Sequence, residues 1–215
     1  MFTWFVNSTK TIKFLSTLSN FRTRVMKPAL QQVQKSYQIL QQCKEKWLET
    51  LQQCQKEIES LQNLGEQYNS CHTANVDAVL QAMPDAKTKI LYKLSLECDK
   101  KLTKLHNLLI NFKECSDRIS KQYSYSLGVV QALPLEEVSI ASETIPSLSD
   151  LVEWLNDIDV YMYQQYCAKK YLLNSFRASE LENNDFLKKW KKGNKEIEMK
   201  MSDLLSYTQF LLADT

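Results

Sequence analysis

Between Met26 and Gln67 the apolar residues recur every three or four positions: Val33, Tyr37, Leu40, Trp47, Leu51, Cys54, Ile58, Leu61 and Tyr68. Lys44 and Gly65 are the off-pattern members. This register puts one stripe on one side of a long helix and demands a second helix to cover it. At 1.5 Å per residue such a helix spans about 55–60 Å, and Pro28 suits its first turn. A second run of the same kind follows: Leu91, Leu94, Cys98, Leu102, Leu105, Leu109, Phe112, Ile119 and Tyr123. Asp85 is its expected N-cap. Two long helices joined by a connection of about 20 residues fold back as an antiparallel pair over residues 26–127.

Glycine content excludes most alternatives. The chain of 215 residues holds 3 Gly and 4 Pro, where about 15 and 10 are usual. So few chain-reversing residues argue against a sheet with many tight turns. Gly65, Gly128 and Gly193 lie more than 60 residues apart, so no two can share a phosphate-cradling loop. His72 and His106 are separated by 34 positions, which removes the HExxH zinc pattern. No cofactor, metal or catalytic residue is expected. The net charge is +2 with 44% hydrophobic residues, neither the balance of a dedicated nucleic-acid-binding domain nor that of a disordered chain. No apolar run reaches the ~18–20 residues that a bilayer requires. Six scattered cysteines form no CxxC pair and are read as reduced thiols of an intracellular protein, Cys54 and Cys98 as small core residues.

Residues 1–25 carry Lys10, Lys13, Arg22 and Arg24 and no acid; the first acid is Glu45. Two readings stay open: a mitochondrial presequence, or a disordered extension ahead of a domain starting near Met26, which is favoured. Asn75–Met83 reads as a short amphipathic piece. Residues 128–147 read as a linker, with Gly128, Pro134 and Pro146 and the start of a base-free stretch holding seven acids from Glu136 to Asp159. Ser147 and Asp150 have capping-box spacing. A third helix is expected over about Leu148–Phe176 and a last one from Asn194 into Leu212, both packing on the hairpin within 148–215. Ile197, Met201, Leu204 and Leu211 face inward. The expected fold is all-α: an elongated antiparallel bundle or coiled coil of three to four long helices with an acidic linker.

The third helix is the strongest functional pointer. It carries Trp154 and the tyrosines Tyr161, Tyr163, Tyr166 and Tyr171, the residue types that interface cores enrich. Leu151, Leu155, Ile158, Met162, Tyr166 and Leu173 make one apolar face. Trp154, Tyr161 and Leu172 make a neighbouring one. If the hairpin covers the first, the second is free for a partner. The expected partner-binding set is Trp154, Leu155, Ile158, Tyr161, Tyr166, Lys169, Lys170, Tyr171 and Leu172. A second cluster, Lys188, Lys189, Trp190, Lys191, Lys192 and Lys195, is a nucleic-acid contact candidate, with lysines for phosphate and an indole for base stacking.

The order of several motifs resembles the AIRIM family of ribosome maturation factors. They are Trp47, Leu51 and Cys54; the run Ser60–Gln67; EWL-x-DI at Glu153–Leu155 and Asp157–Ile158; KKYLL at Lys169–Leu173; FLKKW at Phe186–Trp190; and the terminal FLL. The likeness covers Met26 to the C-terminus. It implies a non-ATPase adaptor subunit of a complex built on Afg2-type AAA+ ATPases, with a cyclin-dependent-kinase-2-interacting protein as second small subunit. It further implies release of a shuttling factor from the pre-60S particle late in its maturation, a link to replisome turnover, and a place in cytoplasm and nucleus. The alternatives from the residues alone are a nucleic-acid-binding helical protein using Lys188–Lys195, or a mitochondrial coiled-coil protein.

Overall fold

The computed structural model describes residues 3–73, 85–141, 146–176 and 185–212. The described residues are helical without strands, in line with the all-α class that the periodicity predicts. The helices are α1 (Thr3–Thr73), α2 (Ala86–Gln131), the single turn α3 (Leu135–Val138), α4 (Leu148–Asn174), α5 (Asp185–Lys191), α6 (Asn194–Tyr207) and α7 (Gln209–Leu212). None of them is long and apolar enough to cross a membrane.

α1 extends further than expected. Residues 3–25, expected to be disordered, continue the helix, and Pro28 sits inside it rather than in a first turn. Nothing in 3–25 forces a break, since the segment holds neither Gly nor Pro. Pro28 withdraws one backbone donor from the helical ladder. The buried stripe runs Ala29, Val33, Tyr37, Leu40, Cys43, Trp47, Cys54, Ile58, Leu61. Small polar residues complete it. Ser36 lies fully buried against Ser126 of α2, their hydroxyls 2.9 Å apart, while Ser36 Oγ also returns a bond to the Gln32 carbonyl. That back-bond satisfies a hydroxyl at a helix–helix contact and lets the two backbones come close.

α2 runs antiparallel to α1. Lys46 pairs with Glu114 at 2.6 Å, Glu57 with Lys101 at 3.0 Å, and Lys87 Nζ donates to the His72 carbonyl at 2.8 Å. The core at this junction is Trp47 on Phe112, edge to face at 4.5 Å. Asp85 does not cap α2: its own backbone is already helical (φ −87, ψ −6) and its side chain makes no cap bond. The short piece expected at Asn75–Met83 lies outside the described residues. The expected linker begins later than residue 128, because α2 continues through Gly128 to Gln131 and Pro134 then opens α3.

α4 starts as its sequence dictates. Asp150 N donates to Ser147 Oγ (3.1 Å) and Ser147 N donates to Asp150 Oδ2 (3.0 Å), a capping box closed by Asp instead of Glu. The helix lies parallel to α1, tied where Tyr37 Oη donates to the Leu151 carbonyl at 2.8 Å. α6 returns antiparallel beside α4. Asn194 meets Lys169 at one end, and Tyr207 meets Trp154 at the other. Gln34 Nε2 then donates to the Leu211 carbonyl, fastening α7 to α1 (2.7 Å). Up-down-up-down connection of α1, α2, α4 and α6 is the four-helix solution for amphipathic helices of this length.

Candidate functional site

α4 carries two apolar stripes, and the structure assigns each a neighbour. Leu151, Leu155, Ile158, Met162, Tyr166 and Leu173, the first stripe, are buried. Trp154 and Tyr161 turn to α6, where Trp154 lies 6.2 Å from the Tyr207 ring and Lys200 sits over Tyr161 at 5.0 Å. Leu172 is buried. The face expected to be free is therefore partly covered. The expectation counted the hairpin as the only neighbour, and α6 supplies the second. Of the nine expected partner-binding residues, Leu155, Ile158, Tyr166, Lys169 and Leu172 are core, Trp154 and Tyr161 are half-buried, and Lys170 and Tyr171 are exposed.

Lys169, expected in the partner-binding set, departs most from that expectation. It is 3% exposed. Its Nζ donates to the Trp190 carbonyl (3.0 Å) and to Asn194 Oδ1 (2.6 Å), and lies 5.1 Å from the Trp190 ring centre. Burial pulls its pKa down to about 8. The ammonium thus closes α5 and opens α6, pinning the turn between them to α4.

The basic cluster divides in the same way. Lys188, Lys189, Lys191, Lys192 and Lys195 are exposed. Trp190 is 1% exposed and stacks on Phe186, whose ring meets Phe176 edge-on at 5.2 Å. No indole face is left for a base. The i,i+4 pair Phe186 and Trp190 makes α5 amphipathic, and its apolar side goes in.

What remains outward on α4 is a ridge of Glu153, Asp157, Val160 and Gln164, continued by Tyr171. A groove lies on each side of its first half. Trp154, Ile158, Lys200, Leu204 and Tyr207 line an opening of 300 Å³ between α4 and α6, with Asp157 and Asp203 at its edge. On the other flank, α2, α3 and α4 enclose an apolar depression of 510 Å³. Tyr207 (67% exposed), Tyr163 (59%) and Val160 (46%) are surface apolar groups that the expected set lacks. Tyr163 and Val160 sit off both periodic stripes, which was the available signal; Tyr207 had none, because only the docking of α6 brings it to Trp154. Among the described residues, no three His, Cys, Asp or Glu side chains are placed to hold a metal ion. An open aromatic groove with a mixed-charge rim suits protein side chains.

The family model described as "Ribosome biogenesis protein C1orf109-like" matches residues 28–210. The chain belongs to this family. Its relatives include the AFG2-interacting ribosome maturation factor of Homo sapiens, 27% identical over 85% of this chain and 94% of the human protein. The Mus musculus protein of the same name is 27% identical over 85% and 88%, and the Xenopus tropicalis one 29% over 68% and 76%. Of the residues that carried the sequence resemblance, Trp47, Cys54, Leu155, Ile158, Lys169, Phe186 and Trp190 are buried, while Glu153, Asp157, Lys170, Tyr171, Lys188 and Lys189 are exposed. Family likeness here is read partly through the packing that builds the bundle and partly through exposed positions.

Proposed function

We propose that this chain is a non-catalytic adaptor subunit of a complex built on an AFG2-type AAA+ ATPase and that it acts in maturation of the large ribosomal subunit. The observation that carries the reading is the match over 94% of a human relative named as AFG2-interacting and as a ribosome maturation factor. The bundle supports it by presenting solvent-facing aromatic and apolar groups on α4 and α6. The finer parts of the proposal are release of a shuttling factor from the late pre-60S particle, a cyclin-dependent-kinase-2-interacting protein as second small subunit, and a related role in replisome turnover. Cytoplasm and nucleus are the compartments it requires.

The test is capture of the AFG2-type ATPase by the tagged chain, with a parallel nucleotide assay. Tyr207→Ala and Tyr163→Ala alter exposed rings. If either ring is an interface anchor, its loss costs about 2 kcal/mol of binding, roughly 30-fold. Melting should stay unchanged. The chain alone should turn over no ATP, having no phosphate loop. Absence of the ATPase from the wild-type capture, or stoichiometric ATP turnover by the pure chain, would sink the reading.

A further inference from the structure

On the side of α4 away from Trp154, the end of α2, the turn α3 and the start of α4 leave an apolar depression of 510 Å³. Leu127, Val130, Leu133, Val138 and Val152 are among its lining. Pro134 (φ −60, ψ 136) and the buried Val138 hold α3 in place. That placement throws Leu135 outward, 77% exposed on the lip. Ile140, two residues past α3, is 55% exposed. A leucine held this far out, beside a hollow of its own chemistry, leaves apolar surface that a partner would cover.

Charge selects the occupant. No Lys, Arg or His occurs between Lys121 and Lys169. Glu153 lines the depression and Glu136 follows Leu135, both exposed. Neither has an ion pair among the described residues. An acidic rim repels nucleic acid and acidic peptides and pairs with Lys or Arg at the border of an apolar contact. A hollow between two helices with one apolar lip is the shape that accepts the apolar stripe of another helix.

We propose that the groove between α2, α3 and α4 takes a basic amphipathic helix of a partner protein. This deepens the adaptor reading by giving the partner's chemistry, and its test runs without the ATPase, so the two can fail separately.

The experiment uses the full chain and two synthetic peptides of about 18 residues, five helical turns. Both carry the same leucine stripe; one has lysine on the polar face and the other glutamate. Fluorescence anisotropy should show the lysine peptide binding at least ~10-fold tighter than the glutamate peptide. Leu135→Ser and the double change Glu136→Lys, Glu153→Lys touch exposed side chains. Each should weaken lysine-peptide binding about 10-fold or more with an unaltered melt. Tyr207→Ala, in the other groove, should leave it unchanged. Equal affinity for both peptides, or indifference to Leu135→Ser, overturns the proposal. So does self-association of the wild-type chain that Leu135→Ser abolishes, since the groove would then hold a second copy.

Discussion

Lys169 enters the core as a cation with only two neutral acceptors, and this makes its contribution to folding depend on pH. Below about pH 8 both folded and unfolded chains carry the proton, so the burial penalty is complete and constant. From there to about 10.5, the ordinary lysine range, the folded chain has released a proton that the unfolded chain keeps, and stability rises with pH. Cys54 and Tyr161, both pushed up to about 12 by burial, act in the opposite sense, because the unfolded chain ionises them first. The difference between wild type and Lys169→Met isolates the lysine. Denaturant titrations from pH 7 to 10 should show wild type gaining on the variant above pH 8; a pH-independent difference would remove the assignment. The same turn contains Gly193 at φ +80, where an added Cβ would lie 2.3 Å from Gln165 Nε2. Gly193→Ala should therefore cost about 1–2 kcal/mol. Gly128, in the last turn of α2 with nothing within 4 Å of a built Cβ, should gain about 0.5 kcal/mol as Ala. Thermal melts should move in opposite directions by a few degrees each.

The helical hairpin is one element in sequence and two in energetics. From Leu105 to Val130, α2 buries its seam under α1 and α4. Earlier, Leu91, Leu94, Cys98 and Leu102 are only half-buried, and Ile90, Tyr92 and Leu96 are exposed. The heptad pattern reads the same through both halves, since it reports that a seam exists and not how many helices cover it. Two helices alone leave the flanks of the seam wet, whereas α4 closes them further down. Replacing residues 64–96 by a short Gly/Ser linker should leave the four-helix part folded, its melt within a few degrees of wild type. Hydrogen exchange in the intact chain should be faster at 88–100 than at 108–128. Collapse of the shortened chain would show that the arm is part of the folding unit.

Across the molecule, acids and bases are separated. The base-free stretch covers the α3 end of the bundle, while Lys56, Lys191 and Lys195 outnumber Glu196 and Glu198 around one opening at the α5–α6 turn. A net charge of +2 hides this separation. If the acidic end is the one that partners use, capture of the ATPase should weaken about tenfold as salt rises from roughly 50 to 500 mM, the range over which rim charges are screened. Salt-independent capture would place the contact on uncharged surface.

Local pattern determined the helices, the antiparallel pair, the capping box at Ser147 and most of the inward residues. Each depends on contacts within four positions or on a period that repeats along one helix. The fate of α4's second stripe was decided elsewhere, by α6 some 40 residues on, which half-covers Trp154 and Tyr161. The burial of Lys169 and Trp190 was decided there too. The amphipathic pattern of α5 sends its indole inward, but only the packed turn supplies a carbonyl and an amide oxygen for the lysine. Periodicity states that a face must be covered. Which helix covers it, and which side chains are left at the border for a partner, follows from how distant segments share a finite core.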